Sequence, residues 1–198
     1  LIINIAFTLA ISSLTAVNGQ SADSMLYLLH HGIFKEDTNK LNLLLNISSY
    51  SVDTDTILKY SEQAIELSEK LNVSPAQPMV LKGAGYLNSG KLVSALECFL
   101  KAANYYQEQH HSIGLAIVYL YISEAYNQQE NHDNAKYYLK NAIEILKKEN
   151  DSTDLAPALH NLGYVNYSMG QYDSALILYE QTSKIYQKLS MLKEYGCC

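Results

Sequence analysis

The side chains most able to do chemistry are few and scattered. Six histidines stand as His30-His31, His110-His111, His132 and His160, and three cysteines as Cys98, Cys197 and Cys198. A zinc site wants histidines at i and i+4 on one helix face, or paired Cys/His ligands. Neighbouring histidines on a helix point apart, so neither His pair is a chelate; both read as loop or helix-end residues. There is no Gly-x-Ser-x-Gly elbow, no phosphate loop ending in Lys and no Gly-x-Gly-x-x-Gly turn. Gly83-Ala84-Gly85 falls within a helical pattern and reads as packing. Cys98 is expected in a helix core, and the vicinal Cys197-Cys198 is poorly shaped for a mutual bridge. These residues predict no catalytic centre, no metal and no cofactor.

What the sequence has instead is a period of 40 residues. Ala95, Ala135 and Ala175 form one series, Ala76, Ala116 and Ala156 a second, Gly83, Ser123 and Gly163 a third, and Phe99, Leu139 and Tyr179 a fourth. A repeat of this size is one supersecondary unit that buries its apolar face only against its neighbours. Apolar spacing predicts helices near Pro78–Ser89, Leu92–Glu108, Ala116–Gln129, His132–Glu149, Pro157–Met169 and Tyr172–Leu189. Upstream it predicts Thr38–Tyr50 and Thr56–Leu71, with Asp53-Thr54-Asp55 as a capping cluster, and a short amphipathic segment at Ser24–His31. Gly90, Glu130 and Gly170 fall at the turns, where a left-handed residue commonly ends a helix. Glu130 departs from that pattern, and Asn131 is expected to take the positive φ in its place.

These residues resemble the tetratricopeptide repeat. The last unit carries Leu159, Leu162-Gly163, Gly170-Gln171-Tyr172-Asp173, Ala175 and Tyr179; the middle unit has Tyr119, Ile122, Ser123, Tyr126, Ala135, Leu139 and Ala142; the earlier one has Met79, Gly83, Tyr86, Gly90, Ala95, Phe99 and Ala102. Lys82, Asn166 and Thr182 depart from the family pattern. The resemblance implies an all-α fold, a right-handed α-α superhelix of about four helix pairs. The units would be 38–75, 76–115, 116–155 and 156–195, after a short helix and link at 20–37. The usual unit is 34 residues; the extra residues are expected in the second helix and the turn after it.

In this family the concave face is lined by the first helix of each pair. That implies a peptide-binding face formed by Tyr121, Glu124, Asn127, Gln128, His160, Asn161, Tyr164 and Tyr167. Val80, Ala84, Leu120 and Glu124 stand where a clamp for a terminal carboxylate would need Lys, Asn and Arg, so that clamp is excluded. The mixture of aromatic, aliphatic and amide side chains suits an extended peptide or a partner helix.

Bulk composition agrees with a binding protein. Hydrophobic residues make up 48% and charged residues 17%, enough apolar content for a continuous core. The formal net charge is -6 and no basic run occurs, which excludes a nucleic-acid surface built on phosphate contacts. Leu1 to Val17 has no charge, is shorter than a membrane span and runs into Asn18-Gly19-Gln20-Ser21. Residues 1–19 read as a secretory signal, or alternatively as a membrane anchor. That start, with SADSMLYLLHH, DTNKLNLLLNIS and TDTILKYSEQAIELSEKL, resembles the periplasmic repeat regions of Bacteroidetes signalling proteins. The resemblance implies a periplasmic or secreted location. It also implies a downstream membrane helix and an output module such as a histidine kinase or a nucleotide cyclase. Residues 196–198 read as the opening of a further unit, so the face of the last helix is expected to be apolar, exposed and available for self-association.

Overall fold

The computed structural model describes residues 22–32 and 35–194. The signal segment read at 1–19 and the further unit read at 196–198 lie outside the described residues. Every regular element among the described residues is an α-helix, and the chain divides into two compact units at Val73/Ser74.

The first unit holds α1 (Ala22–His31), α2 (Thr38–Tyr50) and α3 (Thr54–Lys70). Aspartates set the starts of α2 and α3. Asp37 Oδ1 accepts from the Asn39 and Lys40 backbone N–H at 3.0 and 3.2 Å, and Asp53 Oδ2 accepts from Thr56 N–H at 2.8 Å. Each such cap satisfies donors that the helix cannot pair internally. Leu44, Ile47, Ala64 and Leu67 are buried. The buried Ser61 and Ser68 hydroxyls turn back onto the carbonyls of Leu58 and Ala64, at 3.1 and 2.7 Å. Lys70 and Glu36 pair at 3.2 Å, but both are exposed, so the pair adds little.

The second unit holds α4 (Ala76–Asn88), α5 (Leu92–Glu108), α6 (Ser112–Gln128), α7 (His132–Lys148), α8 (Ser152–Ser168) and α9 (Tyr172–Glu194). The four helices α5 to α8 are each 17 residues long. Left-handed residues recur at Gly90, His110, Glu130, Asn150 and Gly170. At each of these turns the left-handed residue donates its N–H three residues back, and the next residue donates five back. Gly90 N–H to Leu87 O is 3.0 Å and Lys91 N–H to Tyr86 O is 2.9 Å; Glu130 N–H to Asn127 O and Asn131 N–H to Tyr126 O are both 2.9 Å. This pair of bonds satisfies the last carbonyls of the helix and requires φ > 0 at one fixed position.

That geometry corrects the sequence expectation at one turn. Glu130 itself has φ +58, whereas Asn131 has φ −86 and caps α7, its Oδ1 accepting from Asn134 N–H at 3.3 Å. Register, not residue type, chooses the left-handed site. The first helices also begin earlier than expected. Spacing and Pro157 place the starts at Ala116 and Pro157, but α6 begins at Ser112 and α8 at Ser152. His111 Nδ1 caps α6 by accepting from Gly114 N–H at 2.9 Å, and Asp151 caps α8 through the N–H groups of Thr153 and Asp154. Pro157 therefore lies inside α8, where its missing N–H sacrifices one early bond. The residues beyond 34 per unit thus lengthen the first helix as well as the second.

Apolar side chains from both helices of a pair fill the space between them. Phe99, Leu139 and Ala142 are buried, as are Ala95, Ala135 and Ala175 at the close crossings. Burying a Leu or Phe fully contributes roughly 1.5–3 kcal/mol. Thr182, one of the departures from the family pattern, is buried but donates to Leu178 O at 2.9 Å, so its hydroxyl is satisfied. Within this unit α4 meets α6 and α6 meets α8, whereas among the described residues α5 does not reach α7 and α7 does not reach α9. The first helices form the crowded row and the second helices splay apart.

Candidate peptide-binding face

On α6, Glu124, Asn127 and Gln128 are spaced i, i+3 and i+4, which brings them onto one stripe. Their stripe faces α8 in the crowded row. Tyr164 and Ser168 are the α8 counterparts of Glu124 and Gln128, one period later. Together with Glu130 in the turn and His132, the first residue of α7, these side chains line a cleft of about 530 Å³.

Polar groups dominate this cleft. Gln128 Nε2 donates to Glu124 Oε1 at 3.1 Å. Asn127 Oδ1 and His132 Nδ1 are both buried with no hydrogen-bond partner. A buried acceptor left unmade costs about 1–3 kcal/mol, so a donor that meets the Asn127 oxygen once its side chain turns into the cleft recovers that amount. Two carboxylates and no Lys or Arg border it, so its electrostatics favour N–H donors over a ligand carboxylate.

The structure brings together four of the eight sequence-predicted residues: Glu124, Asn127, Gln128 and Tyr164. The others lie elsewhere. Tyr121 is half-buried and stacks on Phe99 with centroids 5.3 Å apart, which makes it part of the α5–α6 packing. His160 lies 5.3 Å from the Tyr179 ring and lines a separate cleft of about 710 Å³ against α9. Asn161 is half-buried on α8 and lines neither cleft. Tyr167 is exposed and meets Tyr172 edge-on at 5.3 Å across the α8–α9 turn. Val80, which stands at one of the family's clamp positions, is buried.

Sequence reasoning missed His132. As the opening residue of a second helix it holds the place of Leu92 and Tyr172 in the other pairs, and Tyr172 is exposed, so register alone carried no signal for it. Three other histidines are structural. His31 Nδ1 donates to Tyr27 O at 2.9 Å, His110 takes the left-handed turn, and His30 Nε2 lies 3.5 Å from Tyr60 Oη. Among the described residues no three His, Cys, Asp or Glu side chains are placed to share a metal ion.

The family model of the tetratricopeptide repeat matches residues 74–148 and again residues 114–188, two placements offset by one 40-residue period. The chain belongs to the tetratricopeptide repeat family. No curated protein matches it. Among solved structures, this tetratricopeptide repeat chain is similar to BtubC from P. vanneervenii at TM-score 0.67 and 18% identity, over 85% of this chain and 71% of that one. It is also similar to aspartyl phosphate phosphatase F from Bacillus subtilis at TM-score 0.73 and 21% identity, over 79% of this chain and 43% of that one. A third is the Rap conjugation gene regulator of the plasmid pLS20, in complex with the Phr* peptide, at TM-score 0.64 and 14% identity, over 86% and 55%. The chain thus spans about half the length of the last two. At these identities the shared property is the fold.

Proposed function

We propose that this tetratricopeptide repeat chain is a non-catalytic scaffold that holds an extended segment of a partner protein across the α6–α8 row. The observation that carries this reading is the pair of buried, unpartnered groups, Asn127 Oδ1 and His132 Nδ1, in a cleft walled by Tyr164. An Asn side chain accepts a backbone N–H and donates to a backbone C=O, so it holds a peptide by its main chain, and a Tyr wall adds contact at low entropic cost. A similar fold seen with a peptide bound supports the reading. Tyr167, Asn161 and His160 continue the same helix face and extend the track beyond the cleft.

The test is a selection of random 12-residue displayed peptides on the immobilised chain, followed by reprobing on Tyr164→Ala/Tyr167→Ala. Loss of binding on the variant supports the assignment; undiminished binding removes it.

The wider setting we propose is the interaction region of a membrane signal-transduction protein, periplasmic and followed by an output module of histidine kinase or cyclase type. The charge-free 1–17 segment and the resemblance of its sequel to periplasmic repeat regions support this. The alternative is a free-standing periplasmic or secreted scaffold. Among the described residues no helix is long and apolar enough to cross a membrane, so the setting rests on the rest of the gene. An apolar run of about 20 residues downstream favours the receptor, and a stop codon soon after Cys198 favours the scaffold. Self-association belongs to this proposal as well. Tyr172, Leu176, Ile177 and Tyr186 of α9 are more than half exposed, a surface suited to a second copy. Sedimentation showing only monomer at all concentrations rejects that part.

A further inference from the structure

A further cleft of the second unit lies on the opposite, splayed side, between α7, α8 and α9. Ile143, Leu159 and Leu162 are its buried floor, Leu178 its half-buried wall, and Lys140, Glu144, Lys147 and Gln181 its rim, around a volume of about 310 Å³. One period earlier the corresponding place is filled. The counterparts of Leu159 and Leu178 are Tyr119 and Tyr138, whose rings touch with centroids 5.4 Å apart. A third ring, Tyr126, stacks on Tyr138 at 5.7 Å, and its counterpart is Asn166. The ring contact between Tyr119 of α6 and Tyr138 of α7 is thus replaced, one period later, by Leu159 and Leu178, and there an open cleft lies between α7, α8 and α9.

We propose that this cleft receives one aromatic side chain of a partner polypeptide, presented beside acidic residues. The occupant's ring is argued from the preceding repeat, where rings fill the equivalent space. The acidic neighbours are argued from the rim. Lys140 and Lys147 flank the opening, and among the described residues neither forms an ion pair, not even with Glu144 between them. Their ammonium groups complement carboxylates on either side of the buried ring, while the Leu and Ile floor supplies the apolar contact that anchors an interface. This site is independent of the α6–α8 row, and either can hold without the other.

The chain has no Trp, so the emission of a Trp in the ligand reports the ligand alone. The probe is the capped peptide Glu-Glu-Trp-Glu-Glu, titrated with the whole chain, and the site is located by methyl NMR of Ile143, Leu159, Leu162 and Leu178. The expected result is a blue-shifted emission with shifts at those methyls. Leu178→Tyr restores the ring of the earlier repeat and is expected to weaken binding about tenfold or more, as loss of an anchor pocket does. Lys140→Gln/Lys147→Gln, on the exposed rim, is expected to weaken it about fivefold at low salt, with less weakening at high salt. The proposal is overturned by shifts confined to methyls other than those four, by no shift at all, or by equal binding to folded Leu178→Tyr. If Leu178→Tyr does not fold, the lysine variant decides, and unchanged binding there overturns the proposal.

Discussion

A Cβ placed on Gly83 would stand 2.5 Å from Phe99 Cε1 and 2.7 Å from Cδ1. Phe99 is fully buried, so its ring has nowhere to move. The 40-residue partners of these two residues, Gly163 and Tyr179, repeat the approach at 2.8 Å, but Tyr179 is only half-buried and can swing outward. Replacing a helical Gly by Ala otherwise gains about 0.5–1 kcal/mol, while overpacking a rigid core costs about 1–3 kcal/mol. Gly83→Ala is therefore expected to lower stability by about 1–2 kcal/mol, and Gly163→Ala to leave it nearly unchanged. Urea unfolding of the two variants, compared at constant slope, checks the difference.

The left-handed turns give a second pair of outcomes. Gly90 has φ +73, and a Cβ added there would meet nothing within 4 Å, so Gly90→Ala isolates the cost of the backbone conformation. His110 holds φ +54 with a side chain that gains nothing from it. Gly90→Ala is expected to cost about 1 kcal/mol and His110→Gly to return a similar amount. Calorimetry should show shifts of opposite sign, about 2–4 °C per kcal/mol for a chain of this size.

Asp53 and Asp154 predict opposite responses to acid. Hydrogen bonding from Thr56, its side chain first and then its backbone N–H, holds the Asp53 carboxyl below the ordinary carboxylate range. The contribution of Asp53 is present above the unfolded pKa and is lost as the pH falls through the lowered folded value. Burial, and then the charge of Asp151, raises the Asp154 carboxyl. Its ionised form is disfavoured in the fold, so this penalty disappears as the pH drops through the raised value. Asp53→Asn should flatten the acid loss of stability between about pH 5 and pH 3, and Asp154→Asn should stabilise at pH 7 and not at pH 3. Thermal midpoints across that range for both variants and wild type read the signs directly.

Asn166 Oδ1 is buried without a partner in a residue 4% exposed. Replacing an unsatisfied buried amide by an apolar group of similar shape removes its desolvation penalty, so Asn166→Leu should raise stability by about 1 kcal/mol. A drop of that size in denaturant unfolding would mean that Asn166 makes a contact absent here.

Much of the fold is legible in the sequence because the period is long and repeated. Ala95, Ala135 and Ala175, with the bulky residue four places on, locate the starts of the second helices at Leu92, His132 and Tyr172, although the last helix runs five residues past the expected Leu189 to Glu194. The starts of the first helices are not legible, because the caps that set them, His111 and Asp151, follow a left-handed residue whose position only the turn geometry reveals. For the same reason residue type favours Asn131 over Glu130, against the observed turn. One wall of the polar cleft is legible as a stripe on α6, since Glu124, Asn127 and Gln128 share helical spacing. Tyr121 misleads because an aromatic at a facing position is equally able to stack inward, as it does on Phe99. His132 escapes notice because its burial depends on how α7 departs from the turn, which spacing does not encode.

Under the proposed function a peptide main chain pairs with Asn127 Oδ1 and His132 Nδ1. The most direct test of this pairing is ¹⁵N NMR of the Asn127 side-chain amide and the His132 imidazole, with a displayed-peptide binder titrated into the chain. Both signals are expected to shift together and saturate with the same affinity, and Asn127→Leu is expected to abolish the response at His132. Saturable binding with both signals unmoved would contradict it.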